Sequence, residues 1–148
     1  MQMNHQLEDE GTARFDTKLV VILRDDLETW QTLNATLFLV SGIAATDPET
    51  VGEPYEDAAA NRYLPMFRQP GLVFEAGREE LRRAFDRARQ RGVELAIFID
   101  ELFGTPHDAA NRAAVRFVRP EDLSLVGIAF RTDRRVADKV VKGLRLHR

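Results

Sequence analysis

Apolar and polar positions fall along this chain in blocks that predict strands and helices in turn. Lys18 to Leu23 (Lys-Leu-Val-Val-Ile-Leu) is an unbroken aliphatic and β-branched run, the pattern of a strand covered on both faces. Arg24-Asp25-Asp26 ends it with charge. Asp26 is placed to cap the next helix, and Glu28 falls in its first turn, where the helix dipole favours a negative charge. That helix is predicted from Leu27 to Ala44, because Trp30, Leu33, Leu37, Val40 and Ala44 recur at helical spacing and make one apolar face. Phe38, Leu39 and Ile43 widen the stripe, so cover is expected on more than one side, from the rest of the chain or from a second copy. Asn34 lies within this apolar neighbourhood and must find partners or water.

Asp47 to Pro65 is rich in turn formers and acids and is expected to be a structureless connection folded over the sheet edge. Leu72 to Glu75 predicts a short second strand. Glu79 to Arg91 predicts an amphipathic helix with Leu81, Ala84, Phe85 and Ala88 buried and Gly92 at its C-terminal turn. Its arginines, interleaved with Glu79, Glu80 and Asp86, form a solvated face. A third strand runs from Glu94 to Asp100 and a fourth from Leu123 to Arg131. Thr132 or Asp133 caps a last helix, Arg134 to Lys142, which Gly143 stops before Leu144 to Arg148 trails off. Residues 1–16 lack apolar periodicity and are expected to be a loose tail.

Length narrows this to one domain over 17–148, since 148 residues suffice to bury about two-thirds of the unfolded surface. Without cysteine there is no disulfide framework and no thiolate chemistry, which fits a cytoplasmic setting. The polar, acidic start lacks the apolar core of a secretory signal, and the run Ala35 to Ala45 is too short to span a bilayer, so no membrane role is expected. Net charge is −3, with an acidic first half and a basic C-terminal end that reads as a solvated helix.

Candidate chemistry gathers after the third strand. Asp100 and Glu101 close it, and neighbours on a strand point to opposite faces, so at most one of them is aimed at any one site. A partly buried carboxylate there would have a raised pKa and could act as a general base. Thr105-Pro106-His107-Asp108 has the form of a capping box, with Thr105 as N-cap and Pro106 at the first helical position. One turn beyond, Asn111 and Arg112 project from the helix. Arg112 is suited to a carboxylate or phosphate, or to tying the helix to Glu56 or Asp57. His107 has no histidine partner at ligand spacing, so no metal is expected. The absence of Gly-x-Gly-x-x-Gly, P-loop and Gly-x-Ser-x-Gly motifs gives no sign of a cofactor.

Two resemblances follow from these segments. Lys18-Leu-Val-Val-Ile-Leu-Arg-Asp-Asp-Leu27, followed by a helix, resembles the opening of type II peptidyl-tRNA hydrolases. Asp26-Leu-Glu-Thr-Trp-Gln-Thr-Leu-Asn34, Tyr63-Leu-Pro-Met-Phe-Arg-Gln-Pro70 and Asn111-Arg-Ala-Ala-Val115 resemble the domain of unknown function (DUF) family numbered two thousand, grouped with that hydrolase fold. The resemblance implies an α/β fold of three layers, α/β/α, around a mixed sheet of about four strands. It also implies that the hydrolase lysine and glutamine fall on Leu33 and Leu37, whereas the acid-to-threonine spacing is kept by Glu101 and Thr105.

The first expectation is therefore a binding or regulatory domain for a small molecule, as a homodimer, lacking the hydrolase lysine. Its pocket would lie at the end of the third strand, with Asp100, Glu101, Thr105, Asn111 and Arg112 lining it and Asn34, Tyr63 and His107 contributing. The alternative is a hydrolase of an ester or amide, such as a peptidyl- or aminoacyl-tRNA, with Glu101 or Asp100 orienting water and Thr105 binding the reacting group. RNA is not favoured as a partner by the net charge of −3.

Overall fold

The computed structural model of the chain describes residues 15–148. The predicted tail falls outside this range for residues 1–14, while the carbonyls of Phe15 and Asp16 accept hydrogen bonds from Arg134.

The run after Lys18 becomes β1 (Thr17–Arg24), and the sheet grows outward from it. On one side lies β6 (Leu125–Asp133), antiparallel, with Val21 opposite Ala129; on the other lies β4 (Gly71–Ala76), parallel, with Val21 opposite Val73. Beyond β6 comes β5 (Ala96–Ile99), and beyond β4 comes β7 (Arg145–Leu146), both antiparallel to their neighbours. The order is therefore β5-β6-β1-β4-β7. Helices cover both faces, as the continuous apolar strand requires. Leu19, Val21 and Leu23 pack with Ala35, Leu39 and Ile43 of α1 (Thr29–Thr46). Val20 and Ile22 meet Leu81 and Phe85 of α2 (Arg78–Gln90) and Ala137 and Val140 of α4 (Arg134–Val140). Burying each such leucine, isoleucine or valine contributes about 1.5–3 kcal/mol. The nine-residue helix that follows β5 and its turn, α3 (Asp108–Arg116), leans on the α2-side core through Val115.

Several expectations need correction. The sheet has five strands, not about four, because Arg145–Leu146 pairs with β4 instead of trailing off. His147 N donates to Val73 O at 2.8 Å, and the Arg145 side chain reaches Glu75 and Asp25. The connection after Asp47 is not structureless. It holds a 3-10 turn (Pro48–Thr50) and a hairpin of β2 (Tyr55–Glu56) and β3 (Arg62–Tyr63), and Phe67 returns to the α1-side core. In α1 the buried stripe is Ala35, Leu39 and Ile43, whereas Trp30, Leu33, Leu37 and Phe38 are 53–68% exposed. Apolar residues nearly encircle this helix, so spacing alone could not select the covered side.

Gly127 in β6 sets how closely α1 approaches. A Cβ there would lie 2.9 Å from Leu23 Cδ2, 3.0 Å from Ile22 O and 3.1 Å from Leu39 Cδ1. The backbone oxygen cannot step aside as a side chain can. Gly127→Ala should therefore lower the unfolding free energy by about 1–3 kcal/mol in urea titration. An unchanged midpoint would show that the two layers have slack at this point.

Candidate functional site

β5 is antiparallel to β6, and β6 to β1, so β1, β4 and β5 all run the same way and their carboxyl ends share one edge. Polar groups presented at such an edge are where α/β proteins commonly meet ligands. Here the edge is organised by Arg24, the last residue of β1, which is only 7% exposed. Its Nη1 and Nη2 donate to Asp100 Oδ2 and Oδ1 at 3.0 and 2.8 Å, a two-pronged grip. Nη1 also donates to Leu125 O at 3.0 Å, and Nε to Asp26 Oδ1 at 2.5 Å. Asp100 takes a further hydrogen bond from Ser124 Oγ, and its backbone N donates to Ser124 O at 3.0 Å. The Arg24 guanidinium, its hydrogen bonds first, holds the Asp100 carboxyl below the usual aspartate range, and the same contact raises Arg24.

Asp100 does not close a strand. It opens a 3-10 turn, Asp100–Phe103, in which Glu101 is exposed. The turn is tied to α1 by aromatic rings: Phe103 lies 5.5 Å from Trp30 and 4.8 Å from Phe98, which itself lies 5.9 Å from Phe38. Asn34, one helical turn after Trp30, is half-buried on the same side of α1.

The helix after the turn starts later than its sequence suggests. His107, not Thr105, is the N-cap of α3, and its Nδ1 accepts from Ala110 N at 3.1 Å. That bond requires an unprotonated Nδ1, which leaves the ring hydrogen on Nε2. The Thr105 hydroxyl instead donates back to Leu102 O at 3.1 Å and across to Asn111 Oδ1, which ties the turn to α3 without capping it. Arg112 pairs with Asp108 one turn back on the exposed face of α3, and not with Glu56 or Asp57. Asp57 is occupied within its hairpin: Tyr63 Oη donates to it at 2.6 Å and Asn61 Nδ2 at 3.1 Å. The Tyr63 hydrogen bond is the largest cause pulling the Asp57 pKa down to about 2, and it raises the phenol.

The structure thus brings Asp100, Glu101, Thr105, His107 and Asn111 onto one turn-and-cap unit, with Asn34 on the adjoining helix. Tyr63 and Arg112 find partners within their own elements. Tyr63 lines a separate concavity of about 570 Å³ with Pro54, Arg62, Leu64 and Pro65. Other hollows lie along α2 beside Arg78, Arg82 and Arg89 (460 Å³), beside Val51 and Phe67 (670 Å³), and at the far end of β5 (390 Å³). None of these four is lined by Asp100, Glu101 or Thr105. Among the described residues no group of three or more His, Cys, Asp or Glu is placed to hold a metal. Nor, among them, is any helix long and apolar enough to cross a membrane. Arg24 and Ser124 were not among the predicted site residues. The available signal was an arginine directly after an apolar strand: buried there, it must have an acid to meet.

These features define a mixed α/β protein with a clamped polar edge. The chain belongs to the family described as protein of unknown function (DUF2000), whose model matches residues 17–148. A solved structure of a protein of unknown function, Atu0240 from Agrobacterium tumefaciens strain C58, is 47% identical. The match covers 91% of this chain and 100% of that one, with a TM-score of 0.88. Among curated proteins nothing matches the chain.

The clamp makes a prediction with a sign. Asp100 has a lowered folded pKa, so its contribution to stability is complete above the unfolded aspartate value, about 3.9, and is lost as pH falls through the folded one. Asp100→Asn leaves a buried guanidinium half-paired and should cost about 3 kcal/mol near pH 7. This is the lower end for buried pairs, because the Asp100 side chain is 38% exposed. The difference from wild type should shrink below about pH 4 in urea titrations. A difference independent of pH would mean that the ionised pair is not the stabilising form.

Proposed function

We propose that the chain is a single binding or regulatory domain over 17–148, of peptidyl-tRNA hydrolase II-like, three-layer fold, acting in the cytoplasm as a homodimer. Its ligand is a small molecule held at the turn after β5. The observation that carries this reading is the state of Asp100. Both its oxygens are engaged by Arg24, one of them by Ser124 as well, and its pKa is lowered. A general base works best with a pKa near the operating pH, which Asp100 lacks, and three of the roughly four lone-pair sites of its carboxylate are already engaged. What the clamp supplies is a rigid base for the next residues. Glu101 and the Thr105–Asn111 pair sit on it as polar contacts for a ligand, with His107 and Asn34 beside them and Tyr63 and Arg112 as outer contributors.

The aligned lysine position supports the same reading. Leu33 and Leu37, which take the places of the hydrolase lysine and glutamine, are exposed apolar side chains without charge to offer phosphate or a reacting carbonyl. With Trp30 and Phe38 they make an apolar stripe, the kind of surface that marks association. A second copy docked on it gives the homodimer.

One observation favours the alternative, a hydrolase of an ester or amide such as a peptidyl- or aminoacyl-tRNA. The Glu101 carboxylate has no salt-bridge partner among the described residues and lies in the same turn region as Thr105, free to orient a water. Glu101→Gln separates the two readings. As a ligand contact, the change should weaken binding of whatever small molecule native mass spectrometry finds on the purified protein, while no esterase or peptidyl-tRNA hydrolase activity is present to lose. Measurable wild-type turnover that the variant abolishes would establish the hydrolase instead.

The association surface has its own test. Light scattering at micromolar concentration should give a dimer mass, and Leu37→Glu should shift it toward monomer. A monomeric mass for the wild type would remove the dimer.

A further inference from the structure

α1 has one face against the sheet and another that stays open among the described residues. From Thr29 to Thr46 its 18 residues include no charged side chain. A helix at the surface of a monomer normally turns charged residues to the water on the side away from the core. Here that side carries Trp30, Leu33 and Leu37, at 58, 62 and 68% exposure, followed by Ser41 and Ala44. Depletion of charge around an aromatic anchor is the composition of an interface core.

Spacing says what the partner is. Trp30, Leu33, Leu37, Ser41 and Ala44 fall within roughly 80° of the helix circumference, opposite Ala35, Leu39 and Ile43 on the sheet. Their intervals are three, four, four and three, the same read from either end, with Leu37 at the centre. Two such helices set side by side in opposite directions therefore bring Trp30 against Ala44, Leu33 against Ser41 and Leu37 against itself. Bulk in the first half of one helix meets small side chains in the second half of the other, at both ends of the pair. A parallel pair would crowd Trp30 on Trp30 at one end and leave a gap between alanines at the other. Opposite directions also put the positive end of each helix dipole beside the negative end of its neighbour. Charged side chains come near only at the ends, Glu28 of one copy beside Asp47 of the other, and Arg131 Nη1 lies 3.8 Å from Asp47 Oδ2.

We propose that α1 is the contact between two copies of this chain, packed antiparallel about a two-fold axis through Leu37. Resting on the homodimer reading, this contact adds a direction, a register and a consequence for the turn after β5. Trp30 is shared: its ring lies 5.5 Å from Phe103 of that turn, and Ala44 of the second copy covers its exposed part. Each copy thereby braces the candidate site of the other.

The chain contains no cysteine, so single cysteines placed in α1 report contacts without background. Facing Cα atoms of helices packed about 8–10 Å apart come within reach of a disulfide, which spans about 4.4–6.8 Å. The substituted positions are exposed in the single chain, so the fold is kept. With oxidised glutathione, Leu37→Cys should cross-link to its own copy. Leu33→Cys and Ser41→Cys should each fail alone, because like residues lie about 12 Å apart along the pair. Mixed and left to exchange, those two variants should cross-link to each other. Trp30, the single tryptophan of the chain, gives a second readout: its emission should lie further to the red in monomeric Leu37→Glu than in wild type.

A wild type that is monomeric at micromolar concentration overturns this contact and the homodimer together. Three results overturn the α1 contact and leave the homodimer standing. Cross-linking of Leu33→Cys or Ser41→Cys alone would make the pair parallel. A dimer that Leu37→Glu leaves intact, or in which neither Leu37→Cys nor the mixture cross-links, would use another surface. Equal tryptophan emission in dimer and monomer would put Trp30 outside the contact.

Discussion

One guanidinium joins three strands. Arg24 ends β1, accepts no water-filled freedom at 7% exposure, and reaches across the start of β6 to the residue that follows β5. On the way it takes the Leu125 carbonyl, so the carboxyl ends of β1 and β5 and the amino end of β6 are bound to a single side chain. An arginine taken out of water in this way is tolerable only when its donors are matched, since an unpaired buried charge costs several kcal/mol. Asp100, Asp26 and Leu125 O provide the match. The turn from Asp100 to Phe103 can therefore hold one shape, braced from below by the ion pair and from the α1 side by the Trp30–Phe103 ring contact.

That rigidity limits what the edge can do chemically. A carboxylate engaged on both oxygens and lowered in pKa is a poor proton acceptor at neutral pH, whatever its place in the fold. It is a good foundation. The side chains with capacity to spare are those that rest on the turn, the exposed Glu101 above all. Arg24 by contrast has four of its five N–H groups engaged.

The α/β character was legible in the sequence because each main strand is a dense apolar run and each helix keeps a regular stripe. Gly92 and Gly143 mark helix ends at φ of 70° and 83°, as their positions implied. Less legible was anything that depended on distant partners. Leu146 looked like part of a frayed end because its pairing edge, Phe74, is remote in sequence. The covered side of α1 was ambiguous because leucine, tryptophan and phenylalanine occur around most of its circumference. Thr105 and Pro106 match a helix start, but the Thr105 hydroxyl donates to Leu102 O and Asn111 Oδ1 and the cap is His107. For the two acids after β5 the sequence implies only that whichever is partly buried would have a raised pKa; Asp100 is instead lowered, because an arginine 76 positions away in the chain grips it.

The most direct test of this account is a ¹³C titration of the Asp100 side-chain carboxyl in the folded protein. With Arg24 in place the midpoint should lie clearly below the ordinary aspartate value of about 3.9, with the carboxylate ionised throughout the neutral range. A midpoint at or above that value would contradict it. Asp100 would then be available for proton transfer, and the clamp at the end of β1 would not be what holds the site.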